Sequence, residues 1–117
     1  MSRHFAFWKY EDGIYLENHK VYEEACCDCK NINGLSVLPI NDILCRVNKI
    51  FDSYENLGEY NYESDEGSFT ITVTEQTVLF ECSWSMSETE LNKIIDVMLE
   101  FDCPLYDPQI SVRFDGS

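Results

Sequence analysis

The sequence predicts an α+β protein, a two-layer sandwich in which a mostly antiparallel sheet carries two amphipathic helices on one face. Three observations carry this expectation. Residues 68–74 and 77–83 alternate apolar and polar side chains on either side of Glu75-Gln76, the pattern of a hairpin with one buried face. Two stretches, starting near Asn41 and Ser87, repeat apolar residues at helical spacing. With 117 residues, 44% hydrophobic and 14% aromatic, the chain can fill one core, so a single domain over residues 1–117 is expected.

Taken in order, residues 5–10 are aromatic-rich, Glu11-Asp12-Gly13 reads as a turn, and residues 14–17 resume an extended pattern, together a first hairpin. Residues 18–39 give no firm element; 21–29 fit a short helix or an irregular strand equally well. A helix is expected from Asn41 or Asp42 as cap, with Ile43, Leu44, Val47, Ile50, Phe51 and Tyr54 as its apolar stripe and Gly58 after its end. Tyr60 and Tyr62 share a parity, which suggests a short edge strand leading into an acidic loop.

In the central hairpin a two-residue loop sets Val73 opposite Val78, Ile71 opposite Phe80 and Phe69 opposite Cys82. One face is then apolar, and the other, with Thr70, Thr72, Thr74, Thr77, Leu79, Glu81 and Ser83, is expected to be wet. Ser87 and Glu90 have the spacing of a capping box before Leu91, Ile94, Ile95, Met98 and Phe101. A turn at 105–108 and a last strand over 109–114 complete the chain. The order from residue 41 to 114 fits the helix, hairpin, helix, strand part of a ferredoxin-like arrangement.

Charge is the strongest functional signal. Eight Lys and Arg stand against 22 Asp and Glu, for a formal net charge of -14. That argues against nucleic acid and anionic membrane as partners, because phosphate binding requires clustered cations, and it favours a basic protein. The start of the chain has no apolar signal segment, and no stretch reaches the length of a membrane helix, so a cytoplasmic protein is expected. Residues 50–92 hold ten carboxylates and no Lys or Arg. Surface charges of one sign with interleaved aromatics have the composition of a protein-binding patch. The expected binding residues are Asp52, Glu55, Glu59, Glu63, Asp65 and Glu66 for steering, with Tyr54, Tyr60 and Tyr62 as anchors. Trp84, Glu75, Glu81, Glu88 and Glu90 extend the same span.

No nucleophile elbow, P-loop or dinucleotide fingerprint is present, and His4 and His19, the two histidines, lie in no recognisable catalytic segment, so no enzyme and no cofactor are expected. Cys26 and Cys29 have the gap of a zinc knuckle, with Cys27 between them, but no second pair follows; a metal or thiol-regulatory domain is the alternative reading. Cys45, Cys82 and Cys103 are expected to be reduced thiols packed as small hydrophobes.

In its shortness, its acidity, its α+β pattern and its stretch from Ile50 to Asn92 without a cation, the chain resembles bacterial immunity proteins as a class. The resemblance implies an inhibitor that neutralises a cognate toxin, often a nuclease, by covering its basic surface. An unassigned soluble interaction domain is the remaining alternative.

Overall fold

The computed structural model describes residues 2–28, 30–58, 60–65, 67–110 and 112–114. Among these residues seven strands, β1 (Ser2–Trp8), β2 (Glu55–Gly58), β3 (Asn61–Ser64), β4 (Gly67–Val73), β5 (Thr77–Ser83), β6 (Leu105–Asp107) and β7 (Val112–Phe114), form one sheet in the order β2-β3-β4-β5-β1-β6-β7. Every ladder is antiparallel. The helices are α1 (Asn18–Val21), continued by a π-helical segment Tyr22–Cys27, α2 (Ile40–Ile50) and α3 (Glu88–Leu99).

The central hairpin has the expected register, with Phe69, Ile71 and Val73 facing Cys82, Phe80 and Val78. Its apolar face, joined by Phe5 and Phe7 of β1, packs against Ile43 and Val47 of α2 and Leu91, Ile94, Val97 and Met98 of α3. Both long helices therefore lie on one face, as their stripes require. A bidentate pair, Arg46 to Glu100 at 2.9 Å through both nitrogens, joins α2 to the end of α3. Because β5 lies between β4 and β1, and β1 between β5 and β6, the unit β1-α2-β4-β5-α3-β6 has the split βαβ order of a ferredoxin-like arrangement. The β2–β3 pair extends one edge of this unit and β7 the other.

The structure corrects several local expectations. Residues 14–17 form no strand. Both edges of β1 are already taken, by β5 and β6, so no first hairpin can form; Tyr10 instead bridges to Leu35. Helix α2 starts one residue before the proposed caps, after Pro39, with no side-chain cap, and it ends at Ile50, before the predicted stop. Gly58 lies in strand β2 at φ +132° rather than at a helix end. Residues 105–107, read as a turn, are a strand because Leu105 and Tyr106 pair with Phe7 and Ala6.

The second face of the sheet is not simply wet. Ala6, Trp8, Leu79 and Tyr106 project from it and are covered by Val21, Tyr22, Ala25 and Cys26 of the α1–π segment. Trp8 and Tyr106 are fully buried there, with ring centroids 5.2 Å apart. Gln76 at the hairpin loop holds the neighbouring segment in place: its side chain accepts from Ile32 N at 2.8 Å and donates to the carbonyls of Ile32 and Leu35. This third layer stops at β5 and leaves the β2-β3-β4 half of the second face open.

Gly67, at φ +139°, opens β4, and a Cβ built there would stand 2.9 Å from Met86 Cα. Gly13 also has a positive φ, +77°, but nothing lies within 4 Å of its would-be Cβ. Gly67→Ala should therefore lower the unfolding free energy by about 2–3 kcal/mol, against about 1 kcal/mol for Gly13→Ala. Urea unfolding measures both, and equal losses would remove the Met86 clash from this account.

Candidate functional site

Strand pairing brings two of the expected acidic residues together at one edge of the sheet. Glu55 of β2 faces Glu63 of β3, Ser64 faces Gly67, and β4 continues the row through Ser68, whose backbone N–H donates to Ser83 Oγ at 3.0 Å. Tyr62, between Glu63 and Asn61, points to the helix-covered face, so Glu55 and Glu63 project from the open second face. Asp65 is exposed in the β3–β4 turn, and Asp52 is exposed in the turn after α2. Glu59 and Glu66 lie outside the described residues. Thr70, Thr72 and Glu81 continue the open face across β4 and β5.

The opposition of Glu55 and Glu63 carries a cost, since like charges placed directly across an antiparallel pair repel. The four ion pairs among the described residues lie elsewhere and involve neither carboxylate. Nothing in the local ladder therefore offsets the repulsion.

Of the three expected anchors, only Tyr60 is available. It sits in the β2–β3 connection at φ +63° and is 38% exposed. Tyr62 is 4% exposed, its ring stacked on Phe69 with centroids 4.8 Å apart and its hydroxyl bonded to Asn48 Oδ1. Tyr54 is 7% exposed and packs edge-on against Phe51. Neither buried ring can dock on a partner. Parity alone placed Tyr60 and Tyr62 on one surface; the positive φ at Tyr60 breaks that alternation. Trp84, in the turn after β5, is 53% exposed and packs against the Arg3 guanidinium.

Glu90 also leaves the expected acidic patch. It is 6% exposed, accepts from Tyr54 Oη at 2.9 Å and pairs with Lys93 Nζ at 2.6 Å. The Lys93 hydrogen bond holds its carboxyl below the ordinary value of 4.5, with help from Tyr54 and against the opposing effect of burial. Only one arm of the predicted capping box forms, Glu90 N donating to Ser87 Oγ at 3.4 Å, because the Glu90 carboxylate is turned inward to Tyr54. That bond ties the acidic turn at 52–55 to the start of α3.

The cysteine reading divides. Cys26 is buried where the α1–π segment packs on the sheet, Cys27 is exposed, and Cys29 lies outside the described residues. Among the described residues no three His, Cys, Asp or Glu side chains gather as metal ligands would. Burial pushes the Cys82 thiol up to about 12 and the Cys103 thiol up to about 11, as expected for thiols packed in the core. Cys45, expected beside them, is exposed on the outer side of α2.

Each histidine meets a tyrosine. His19 Nδ1 lies 2.8 Å from Tyr106 Oη and its Nε2 3.3 Å from Glu23 Oε1, so the ring bridges the helix to the sheet. The hydroxyl at the end of this carboxylate–imidazole–phenol row belongs to a fully buried residue, so the row anchors α1 to the sheet. His4 Nδ1 stands 3.1 Å from Tyr22 Oη and ties the π-helical segment in the same way. Local sequence pattern carries no sign of these links, which join residues up to 87 positions apart.

No helix among the described residues is long and apolar enough to cross a membrane. No family model matches the chain, and no curated protein matches it significantly.

Two outcomes follow from the buried carboxylate. Because its folded pKa is depressed, Glu90 contributes stability that is fully present above about pH 4.5 and is lost as pH falls through the lower folded value. Glu90→Gln should flatten the acid limb of a stability–pH curve measured by urea unfolding between pH 3 and 6, a range chosen around the usual carboxylate value of about 4.3. Tyr54→Phe should cost about 1.5–3 kcal/mol at neutral pH, the range for a hydrogen bond to a charged group; a loss under about 0.5 kcal/mol would show that this bond adds little net stability.

Proposed function

We propose that this chain is an acidic inhibitor of the immunity-protein type, which binds a basic protein of the nuclease-toxin class and covers the surface that holds nucleic-acid phosphate. The observation that carries the reading is the Glu55–Glu63 pair: two carboxylates set face to face on an open sheet face, with no cation of the described residues paired to either. That opposition lowers folding stability, whereas a partner's Lys or Arg placed between the two would relieve it.

The mechanism is electrostatic capture followed by close packing. A net charge of -14 attracts a basic surface over a Debye length of about 8 Å at physiological salt and raises the association rate by roughly ten- to a thousandfold. Asp52, Glu55, Glu63 and Asp65, with Glu59 and Glu66 from the same segment, supply the carboxylates, and Tyr60 supplies exposed aromatic surface. Such an inhibitor acts in the cytoplasm of the cell that makes the toxin, and needs neither metal nor catalytic group for this work.

Proteins co-purifying with the chain at low salt identify the partner. A partner with a basic face, whose association slows steeply as salt approaches 1 M and the Debye length shrinks to about 3 Å, is the expected result. A partner without a basic face, or association indifferent to salt, would sink the mechanism. Glu63→Lys separates function from fold: it should raise the unfolding free energy by about 0.2–1 kcal/mol, by turning a repelling pair into an attracting one, while slowing association about tenfold or more. Loss of stability in this variant would contradict the repulsion on which the reading rests.

A further inference from the structure

The two edges of the sheet differ in how they are protected. β2, at one end of the strand order, carries Glu55 and has an irregularity between Asn56 and Gly58. Charge and bulges of this kind keep an edge from pairing with another chain. β7, at the other end, has neither device on its outward side. Its ladder with β6 runs without a register shift from Asp107–Val112 to Leu105–Phe114, and among the described residues no strand lies beyond it. Residues directly opposite in an antiparallel ladder share a face, so Phe114 lies with Leu105 on the face that carries α2 and α3, and Val112, two residues away, lies with it. The helix layer stops at β6: Leu105 is 7% exposed, whereas Phe114 is 51% and Val112 42% exposed. Ile110, in the turn before β7, is exposed as well.

Charge identifies the occupant. Residues 105–114 hold one Asp and one Arg, which cancel, in a chain whose net charge is -14. Arg113 is moreover drawn to the second face, where its Nη2 donates to Trp8 O at 2.7 Å and its guanidinium carbon lies 4.7 Å from the Tyr10 ring centroid. This edge therefore has no charge with which to steer a basic protein. Two copies of the chain can meet here without the repulsion that opposes them over the acidic span of residues 50–92. A second copy also brings an edge of the same length and pattern, as a twofold contact requires.

We infer that β7 is a self-association edge, at which two copies pair β7 with β7 antiparallel about a twofold axis, so that the two sheets become one and Val112 and Phe114 of both copies pack together on the face that carries the helices. Three residues per strand keep the ladder short, so the dimer is a weak one. The open acidic face lies at the β2-β3-β4 end, away from this contact, and each dimer presents two copies of it. The inference is independent of the masking function, and salt acts on the two in opposite directions. Screening weakens capture of a basic partner but strengthens the association of two acidic chains.

Sedimentation equilibrium of the whole chain tests this, at concentrations up to about 1 mM, at low salt and at about 1 M salt. A reductant is kept present, because Cys27 and Cys45 are exposed. The expected result is a monomer–dimer equilibrium that tightens at high salt. Val112→Glu/Phe114→Glu sets like charges across the contact and should weaken dimerisation about tenfold or more. Val112→Thr/Phe114→Thr keeps strand propensity while removing apolar surface, and should weaken it about threefold or more. Circular dichroism checks that each variant is folded. Amide hydrogen exchange in β7 should be slower at high protein concentration than at low. A chain that stays monomeric at about 1 mM in about 1 M salt, or a dimer that both variants leave unchanged, overturns the inference and leaves the masking function as it stands.

Discussion

The arrangement depends on the pairing of β1 with β5, because both faces of that ladder are apolar. Phe5 and Phe7 point to one side with Val78 and Phe80, while Ala6 and Trp8 point to the other with Leu79. A ladder of this kind cannot border water on either side. One side is closed by α2 and α3. The other is closed by the α1–π segment, which is too short to support itself and is fixed by its buried face and by the His19–Tyr106 and His4–Tyr22 contacts. Burial of the centre thus decides where every helix lies.

It also decides what stays uncovered. β4 alternates strictly, Phe69 and Ile71 inward, Thr70 and Thr72 outward, so nothing requires a layer over its second face. The short strands β2 and β3 extend that uncovered region and carry Glu55 and Glu63 on it. Edge strands are often guarded by charge against pairing with other chains, and these acids serve that purpose too. Edge protection alone, however, would be met by lysine as well as by glutamate, and does not account for carboxylates opposed across the ladder.

Much of this was legible in the sequence, and the gaps have physical causes. The register of the central hairpin followed from the loop length, because a two-residue connection leaves one pairing. The helices followed from their apolar stripes. The aromatic-rich run Phe5-Ala6-Phe7-Trp8 reads in sequence as one strand of a first hairpin, and its two-sided burial and the covering layer escape that reading, since α1 and its π-helical continuation have no periodic stripe of their own. At the surface, residue type and parity located the carboxylates but not the usable aromatics. Tyr54 and Tyr62 combine a ring with a hydroxyl and can close a core through Glu90 and Asn48, contacts that local pattern cannot reveal.

The central claim is that the open half of the second face, not the molecule's acidity in general, receives a cationic partner. Amide chemical-shift mapping of the isotopically labelled chain during titration with deca-arginine tests it most directly. The account predicts that the largest shifts concentrate at Glu55, Glu63 and Asp65. Shifts centred on Glu23, Glu24 and Asp28 of the α1–π layer, or spread evenly over all exposed carboxylates, would contradict it.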